Sequence, residues 1–323
     1  MCTAMALDRG GRFFGRTLDL EYHYNESIAI APSDYLFRSP SGCLVQGDYA
    51  MIGVATVVDG YPLYYDAMNE HGLWMAGLHF PENGVYLEPQ EGKENLPPYA
   101  LIPRVLSSCA TLSEARELLS NICLIHRPFN ERYPLTPLHF MIAQNGESIV
   151  AEPMADGLRI CENPVSVMTN NPAFDAQLAG LLRYNGLSPK EPSVMIAPAL
   201  LPPSYRGLGA VGLPGDYSSP ARFARAVFLR QHTPALSGKD GAIGFFRMME
   251  GVSIPKGGLL AKDGKWVHTV YTSCGDPQTR TYYYTTYTHP TVVGVKLSMA
   301  ERGQKLISLP LRWIEEIIME NGC

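Results

Sequence analysis

The sequence lacks the features that mark membrane-spanning and nucleic-acid-binding proteins. None of its apolar runs approaches the roughly 18 residues that a transmembrane helix needs. Lysine and arginine form no clusters and the formal net charge is −5, so we expect neither nucleic acid nor a membrane as a partner. The opening residues include Asp8, Arg9 and Arg12 and no apolar signal-peptide core, so we expect no secretory signal.

The cysteines do not form a disulfide or zinc-binding pattern. There are seven, an odd number, and none are paired at Cys-x-x-Cys spacing. This number and spacing of cysteines favour a reduced, cytoplasmic protein. We expect six to be core or incidental thiols: Cys43, Cys109, Cys123, Cys161, Cys274 and Cys323.

What remains is the composition of a globular protein. Hydrophobic residues make up 46% of the 323 residues and charged residues 18%, without a disordered signature. The length allows one large domain or two smaller ones. The stretch 188–209 is rich in proline and leucine, and we interpret it as an ordered excursion and not as a boundary. We therefore predict a single domain, 1–323, whose mature form begins at Cys2.

Periodicity and turn residues predict strands, then helices, and then both again. The predicted strands are 2–7, 12–19, 27–31, 49–58, 61–65, 73–78, 139–143, 148–152, 165–169, 266–274 and 281–287. Helices are predicted at 112–119, after Pro172, at 221–231 and at about 240–250, capped by Thr111, Asn171, Ser219 and Asp240. This order favours stacked sheets between helices over a repeating βαβ wind.

Cys2 is the first candidate for chemistry. It follows Met1 directly, so removal of Met1 would make it the amino terminus. One residue would then carry a thiol with a pKa of about 8.5 and an amine with a pKa of about 7.7–8.0. A terminal amine can replace histidine as the base of a nucleophile. The alternative is a small residue at a frayed end, but a hairpin pattern follows.

Arg16 and Asp19 lie on the second strand of that hairpin. At strand spacing Arg16 and Leu18 share one face, and Asp19 lies on the other. Charged residues are rare inside a hairpin core unless they are paired or functional. Close to Cys2, Arg16 would favour the thiolate and Asp19 would hold the amine. An ordinary surface ion pair fits the spacing equally well.

Four motifs in order resemble the choloylglycine hydrolase family, which contains bile salt hydrolases and penicillin V acylases. They are Met-Cys-Thr at the start, Phe-Gly-Arg-Thr-Leu-Asp at 14–19, Met-Thr-Asn-Asn-Pro at 168–172 and Leu-Pro-Gly-Asp-Tyr-Ser-Ser-Pro-Ala-Arg-Phe at 213–223. The resemblance runs from residue 2 to about residue 290, and 68–77 and 271–274 agree with it. The family belongs to the N-terminal nucleophile hydrolases.

The resemblance implies a fold and a set of roles. The fold is an α+β, four-layer αββα sandwich; the protein is cytoplasmic, commonly a homotetramer, and needs no metal or cofactor. Cys2 matches the nucleophile, and Arg16 and Asp19 match residues that hold it and its amine. Asn170 matches the oxyanion-hole asparagine and Arg222 a buried, site-ordering arginine. Spacing alone favours Asn170 as a turn residue beside a helix cap, and it fits Arg222 equally well as a helix-face arginine in a salt bridge.

His79 departs from the family pattern. After Met75-Ala76-Gly77-Leu78, bile salt hydrolases usually have asparagine and penicillin V acylases often tyrosine. The main-chain N–H of His79 can still serve the oxyanion hole, because that donor does not depend on the side chain. The segments 19–22 and 59–62 are closer to the bile salt hydrolases.

The resemblance implies a small-molecule substrate, a bile acid joined by an amide to glycine or taurine. Its steroid needs an apolar cleft, which we expect among Leu18, Thr56, Tyr61, Tyr65, Phe129, Leu135 and Leu138. Three alternatives stay open: a penicillin V acylase with a phenoxyacetyl group in the cleft, a non-catalytic acyl- or bile-acid-binding member, and a thiol redox protein.

Overall fold

A computed structural model describes residues 1–192, 206–297, 303–314, 317, 319 and 320. The strands are β1 Cys2–Arg9, β2 Gly11–Leu20, β3 Ser27–Ala31, β4 Phe37–Arg38, β5 Leu44–Val45, β6 Met51–Val58, β7 Tyr61–Asn69, β8 Trp74–His79, β9 Glu94–Leu96, β10 Ile122–Leu124, β11 Leu138–Gln144, β12 Glu147–Met154, β13 Gly157–Glu162, β14 Val167–Met168, β15 Leu259–Leu260, β16 Trp266–Asp276, β17 Thr281–Thr286, β18 His289–Lys296 and β19 Ile307–Pro310.

The helices are fewer than the strands. They are α1 Leu101–Ser108, α2 Leu112–Ser120, α3 Phe174–Gly180, α4 Ser219–His232 and α5 Gly238–Glu250. Short 3₁₀ helices cover Pro98–Ala100, Leu181–Tyr184 and Leu208–Ala210. Over the described ranges, no helix is long and apolar enough to cross a membrane.

Two large sheets organise these elements. The first has seven strands, in the order β14-β1-β2-β16-β17-β18 with β15 beside β16. The second has eight, in the order β13-β12-β11-β8-β7-β6-β3-β19. The pairs β9–β10 and β4–β5 form two small additional sheets.

The two large sheets pack face to face between helices. β8 of the second sheet contacts β1 and β2 of the first, while α4 and α5 cover the first sheet and α1 and α2 the second. Phe14 stacks on Trp74 across the two sheets, with ring centroids 5.3 Å apart. The predicted four-layer αββα sandwich is confirmed. Both sheets have apolar side chains on both faces, because each lies between another sheet and a helical layer.

The amino-terminal hairpin forms as predicted. β1 and β2 are antiparallel, and Cys2 lies opposite Leu18. Gly10 makes the tight turn with a φ of 77°, in the left-handed region that glycine enters without strain. The hairpin places the chain start inside the first sheet, with strands on both sides of it.

Helix starts were predicted less well. The cap of α2 is confirmed, since the Thr111 hydroxyl accepts the Glu114 N–H. The other three predicted caps are wrong. Ser218 caps α4, and α5 begins after Ser237, so that Asp240 lies in its first turn.

The third wrong cap is Asn171. α3 begins only at Phe174, and the Asn171 amide donates instead to the main-chain oxygen of Pro81. No capping pattern predicts α1, because this helix continues from a 3₁₀ turn and its N-cap residue, Ala100, has no side chain that can cap it. The proposed excursion at 188–209 lies largely outside the described residues, as does Cys323. The single domain stays a prediction.

The close approach of β2 to β16 predicts a specific loss of stability. A Cβ at Gly15 would lie 1.9 Å from the main-chain oxygen of Ser273. Overpacking typically costs ~1–3 kcal/mol, and we expect Gly15→Ala to lower the free energy of unfolding by at least that much, because the obstacle is backbone.

The matched control is Gly180→Ala, since no neighbouring atom lies within 4 Å of its Cβ position. The midpoint of urea unfolding measures both variants. Equal midpoints for Gly15→Ala and the unchanged protein would contradict the close approach.

Candidate active site

The thiol of Cys2 faces an arginine. Cys2 pairs with Leu18 and Ala4 with Arg16, so Cys2, Leu18 and Arg16 share one face of the hairpin. Arg16 Nη2 donates to Cys2 Sγ at 2.5 Å. Cys2 is 3% exposed and Arg16 0%. The sulfur therefore has a cation as its direct partner in a site shielded from water.

Main-chain oxygens fix the Arg16 guanidinium. Nη1 donates to Gly77 at 2.6 Å and to Tyr65 at 3.2 Å, both in the second sheet, and Nε donates to Thr17 at 3.1 Å. Burial alone would lower the pKa of Arg16, but the nearby thiol of Cys2 and other acidic groups raise it above its usual value. Arg16 is therefore a permanent positive charge between the sheets.

Asp66 is an acidic residue close to this arginine, and no sequence motif marks it. Its carboxylate is buried and accepts hydrogen bonds from Tyr271 and Ser273, both at 2.8 Å, and from Tyr282. Burial raises the pKa of Asp66, while Arg16 and these hydroxyls act in the opposite direction. The one available signal was a charge within the otherwise apolar strand β7.

Arg222 approaches Cys2 from the helical layer. Its Nη1 donates to the main-chain oxygen of Cys2 and to Thr3 Oγ1, both at 2.6 Å. Nη2 donates to Asn170 Oδ1 at 2.8 Å. Burial lowers the pKa of Arg222, while Asp19 and Cys2 oppose this shift. Arg222 thus joins α4, the start of β1 and the loop that carries Asn170.

Asp19 lies on the opposite face of β2 from Arg16. Its carboxylate accepts from Thr269 at 2.7 Å and from Thr17 at 3.1 Å, and lies 3.9 Å from Arg222. Its main chain binds the start of the chain: the Asp19 oxygen accepts from the Met1 amine at 2.5 Å, and its N–H donates to Met1 at 2.8 Å. The structure therefore shows Asp19 next to the amino terminus through its backbone.

Asn170 presents its side chain to Cys2. Its Oδ1 accepts one hydrogen bond from the Cys2 N–H at 2.9 Å and a second from Arg222 Nη2. Arginine can only donate, so this contact fixes which end of the amide is oxygen. Nδ2 donates one hydrogen to the main-chain oxygen of His79 at 2.7 Å, which leaves its second hydrogen for another acceptor.

The backbone of His79 points to the same side as Asn170. His79 pairs with Leu138 of β11, while the next residue, Phe80, donates to Pro137 at 2.8 Å. In an antiparallel ladder successive residues face opposite edges. The N–H and C=O of His79 therefore point away from β11, to the edge where Asn170 binds that C=O. Burial, and then the amino-terminal charge, lowers the pKa of the imidazole.

The predicted cleft residues separate into two groups. Leu18 and Tyr65 pack with Cys2 in the core between the sheets. The Tyr65 hydroxyl lies 3.0 Å from Thr56 Oγ1, which donates to the main-chain oxygen of Tyr24 at 3.2 Å. Leu18 lies on the first sheet, and Thr56 and Tyr65 lie on the face of the second sheet that is turned toward the thiol.

The other four lie elsewhere. Tyr61 and Phe129 are buried between the second sheet and its helices, with ring centroids 5.2 Å apart. Leu138 packs against the same core, and Leu135 is half-buried in the segment before β11. The two groups cannot be told apart in the sequence, because strand alternation alone does not show which face lies toward Cys2.

The remaining described cysteines are free and differ from Cys2 in their surroundings. Burial raises the pKa of all five, which are Cys43, Cys109, Cys123, Cys161 and Cys274. Cys161 also has an arginine neighbour, Arg159, whose charge and hydrogen bond oppose this shift without overcoming it. No group of three His, Cys, Asp or Glu side chains in the described ranges is placed to hold a metal ion.

The chain is similar to known amide hydrolases over nearly its whole length. The family model of the linear amide C–N hydrolases, choloylglycine hydrolase family, matches residues 2–302. A bile salt hydrolase/transferase of Lactiplantibacillus plantarum is 39% identical over 97% of both chains.

Solved structures are similar as well. That of the C2A mutant of the conjugated bile acid hydrolase from Clostridium perfringens has a TM-score of 0.93 and 32% identity, over 99% of this chain and 100% of that one. A penicillin V acylase from Agrobacterium tumefaciens has the same fold, with a TM-score of 0.74 and 21% identity over 94% and 89% of the two chains.

The contrast among the cysteines predicts selective alkylation. We expect iodoacetamide at neutral pH to modify Cys2 before any other thiol, because thiolate reactivity follows the local positive charge. Peptide mapping after short exposure measures the order, and Cys2→Ala should remove the fast-reacting peptide. Modification of Cys43 or Cys109 first, with Cys2 inert, would contradict the Arg16–Cys2 contact as an activating one.

Proposed function

The chain belongs to the choloylglycine hydrolase family, and we propose that it hydrolyses the amide bond between bile acids and glycine or taurine. The observation that carries the proposal is the Cys2 thiol, held by Arg16 on one side and bordered by Asn170 on the other. The names of the relatives supply the substrate class, since bile salt and conjugated bile acid hydrolases match over most of the chain.

Cys2 provides both the nucleophile and its base. Removal of Met1 frees the Cys2 nitrogen, which takes the thiol proton. The thiolate attacks the amide carbon and forms a tetrahedral oxyanion. As the C–N bond breaks, the protonated amine returns that proton to the leaving nitrogen, which departs as glycine or taurine. Cys2 is left as a thioester, which water hydrolyses with the same amine as base.

The oxyanion is stabilised by two donors. The free Nδ2 hydrogen of Asn170 and the main-chain N–H of His79 lie on the same side of β8, joined by the bond between Nδ2 and the His79 oxygen. Donors fixed before the reaction cost no reorganisation when charge develops on the oxygen. Arg222 and Asp19 position the reacting groups. Arg222 binds the Cys2 carbonyl and the Asn170 amide, and the Asp19 backbone binds the start of the chain.

The substrate contacts follow from burial. Leu18, Thr56 and Tyr65 are on the thiol side and contact the acyl group near the amide. Tyr61, Phe129 and Leu138 pack in the core on the other face of the second sheet and would support these residues from behind. Leu135, half-buried before β11, stays a predicted contact.

The cytoplasmic location and the homotetramer belong to the same proposal. They are supported by the family resemblance alone. Light scattering coupled to size-exclusion chromatography tests the tetramer, which predicts four times the chain mass of 35.6 kDa.

A substrate panel tests the proposed reaction. We expect glycocholate or taurocholate to release amino acid, detected with ninhydrin, faster than penicillin V releases 6-aminopenicillanic acid. Cys2→Ala should lower turnover by at least about a thousandfold, while calorimetry still detects bile-salt binding, because the change removes only the sulfur. Faster penicillin V turnover would identify an acylase. Undiminished turnover by Cys2→Ala would contradict the nucleophile.

Substitution of His79 tests the backbone donor. We expect His79→Asn to keep most of the turnover on the best substrate and to change mainly the ratio between substrates, since the main-chain N–H remains. Asn170→Ala is the comparison, because loss of a true oxyanion donor costs on the order of a hundredfold or more.

The pH–rate profile gives a second readout. The pKa of His79 lies below its ordinary value, so the imidazole is neutral at pH 7. If it takes no part in the chemistry, His79→Asn should leave the acid limb unchanged. A hundredfold loss on every substrate, with a shifted acid limb and an intact fold, would show that the imidazole reacts.

A further inference from the structure

A second histidine contacts the neighbours of both proposed oxyanion donors. His139 lies on β11 and is fully buried. Its Nε2 is 2.8 Å from the main-chain oxygen of Thr169, the residue before Asn170. Its ring stacks on Phe80, the residue after His79, with centroids 4.2 Å apart and planes 6° apart. One imidazole therefore touches both of the segments that supply the oxyanion hole.

The hydrogen bonds of His139 fix the state of its ring. The Thr169 oxygen can only accept, so Nε2 carries a hydrogen. Nδ1 then lies 3.3 Å from Glu152 Oε1. This contact is attractive only if one proton is shared between Nδ1 and the carboxyl group, since two lone pairs would otherwise face each other. Both side chains are 0% exposed.

Glu152 binds the other end of the segment 169–174, which contains Asn170. Its Oε1 also accepts the N–H of Phe174, the first residue of α3, at 3.0 Å. His139 thus holds residue 169 and Glu152 holds residue 174. Asn170 lies between these two fixed points. Gln177 also holds this segment, because its side-chain amide donates to the main-chain oxygens of Asn170 and Pro172.

We propose that His139 and Glu152 are positioning residues of the oxyanion hole, which hold Asn170 and His79 at the separation that the tetrahedral intermediate requires. The inference rests on the proposed hydrolysis. Neither side chain contacts Cys2 or Arg16 among the described residues. Their effect is therefore on the stabilisation of the oxyanion and not on the formation of the thiolate. Removing one partner of a buried pair can destabilise the fold strongly, so kcat is measured on the folded fraction of each variant.

His139→Phe is the main test. It keeps an aromatic ring against Phe80 and removes both polar contacts. We expect kcat for the best conjugated bile salt to fall about tenfold or more, as for loss of a hydrogen bond that matters in the transition state. KM should stay within about twofold, because ground-state contacts remain. The rate of Cys2 alkylation by iodoacetamide should not change, because Arg16 is untouched.

Two further variants complete the experiment. Glu152→Gln should also lower kcat, since its amide oxygen can accept from Phe174 but cannot share a proton with Nδ1. The double variant should lose less than the product of the two single losses, as expected for residues that act together. Phe140→Leu is the structural control: it neighbours His139 on β11 but packs in the other core, and should leave kcat unchanged in the folded fraction.

The outcomes separate the two proposals. Absence of amino acid release by the unchanged protein would overturn both. Normal turnover by folded His139→Phe would overturn the positioning role alone. Equal losses of kcat and of Cys2 alkylation, or an equal loss in Phe140→Leu, would also overturn it, because each indicates a general loosening of the core.

Discussion

The contact between the Arg16 guanidinium and the Cys2 thiol is the interaction on which the rest of the site depends. It requires a permanently charged side chain between two apolar sheets, where an unpaired charge is costly. The fold meets that cost with three main-chain oxygens, two of them from the second sheet, and with Asp66 nearby. The four-layer arrangement is therefore what makes an activated amino-terminal thiol possible.

Four buried ionisable side chains surround Cys2: the basic Arg16 and Arg222 and the acidic Asp19 and Asp66. Proton transfer from the thiol to the freed amine of the same residue creates one negative and one positive charge. The transfer therefore adds no net charge to a site that is shielded from water.

The sequence predicted the hairpin, the layers and the helix cap at Thr111, because alternation, turn glycines and capping residues are local signals. It failed where geometry is set by tertiary contacts. Asn171 resembles a cap but donates across to Pro81, and α1 begins without any capping residue. Arg16 and Asn170 were found through motifs. Asp66 and His139 carry no motif, and only folding brings them beside Arg16 and Thr169.

The most direct measurement is the mass of the acyl-enzyme. The protein is mixed with excess glycocholate, quenched in acid within the first turnover, digested and mapped by mass spectrometry. The account predicts a choloyl group on the peptide that begins at Cys2, bound as a thioester that hydroxylamine removes, and no retained Met1 in the active protein. A choloyl group on another residue, or full activity in protein that keeps Met1, would contradict it.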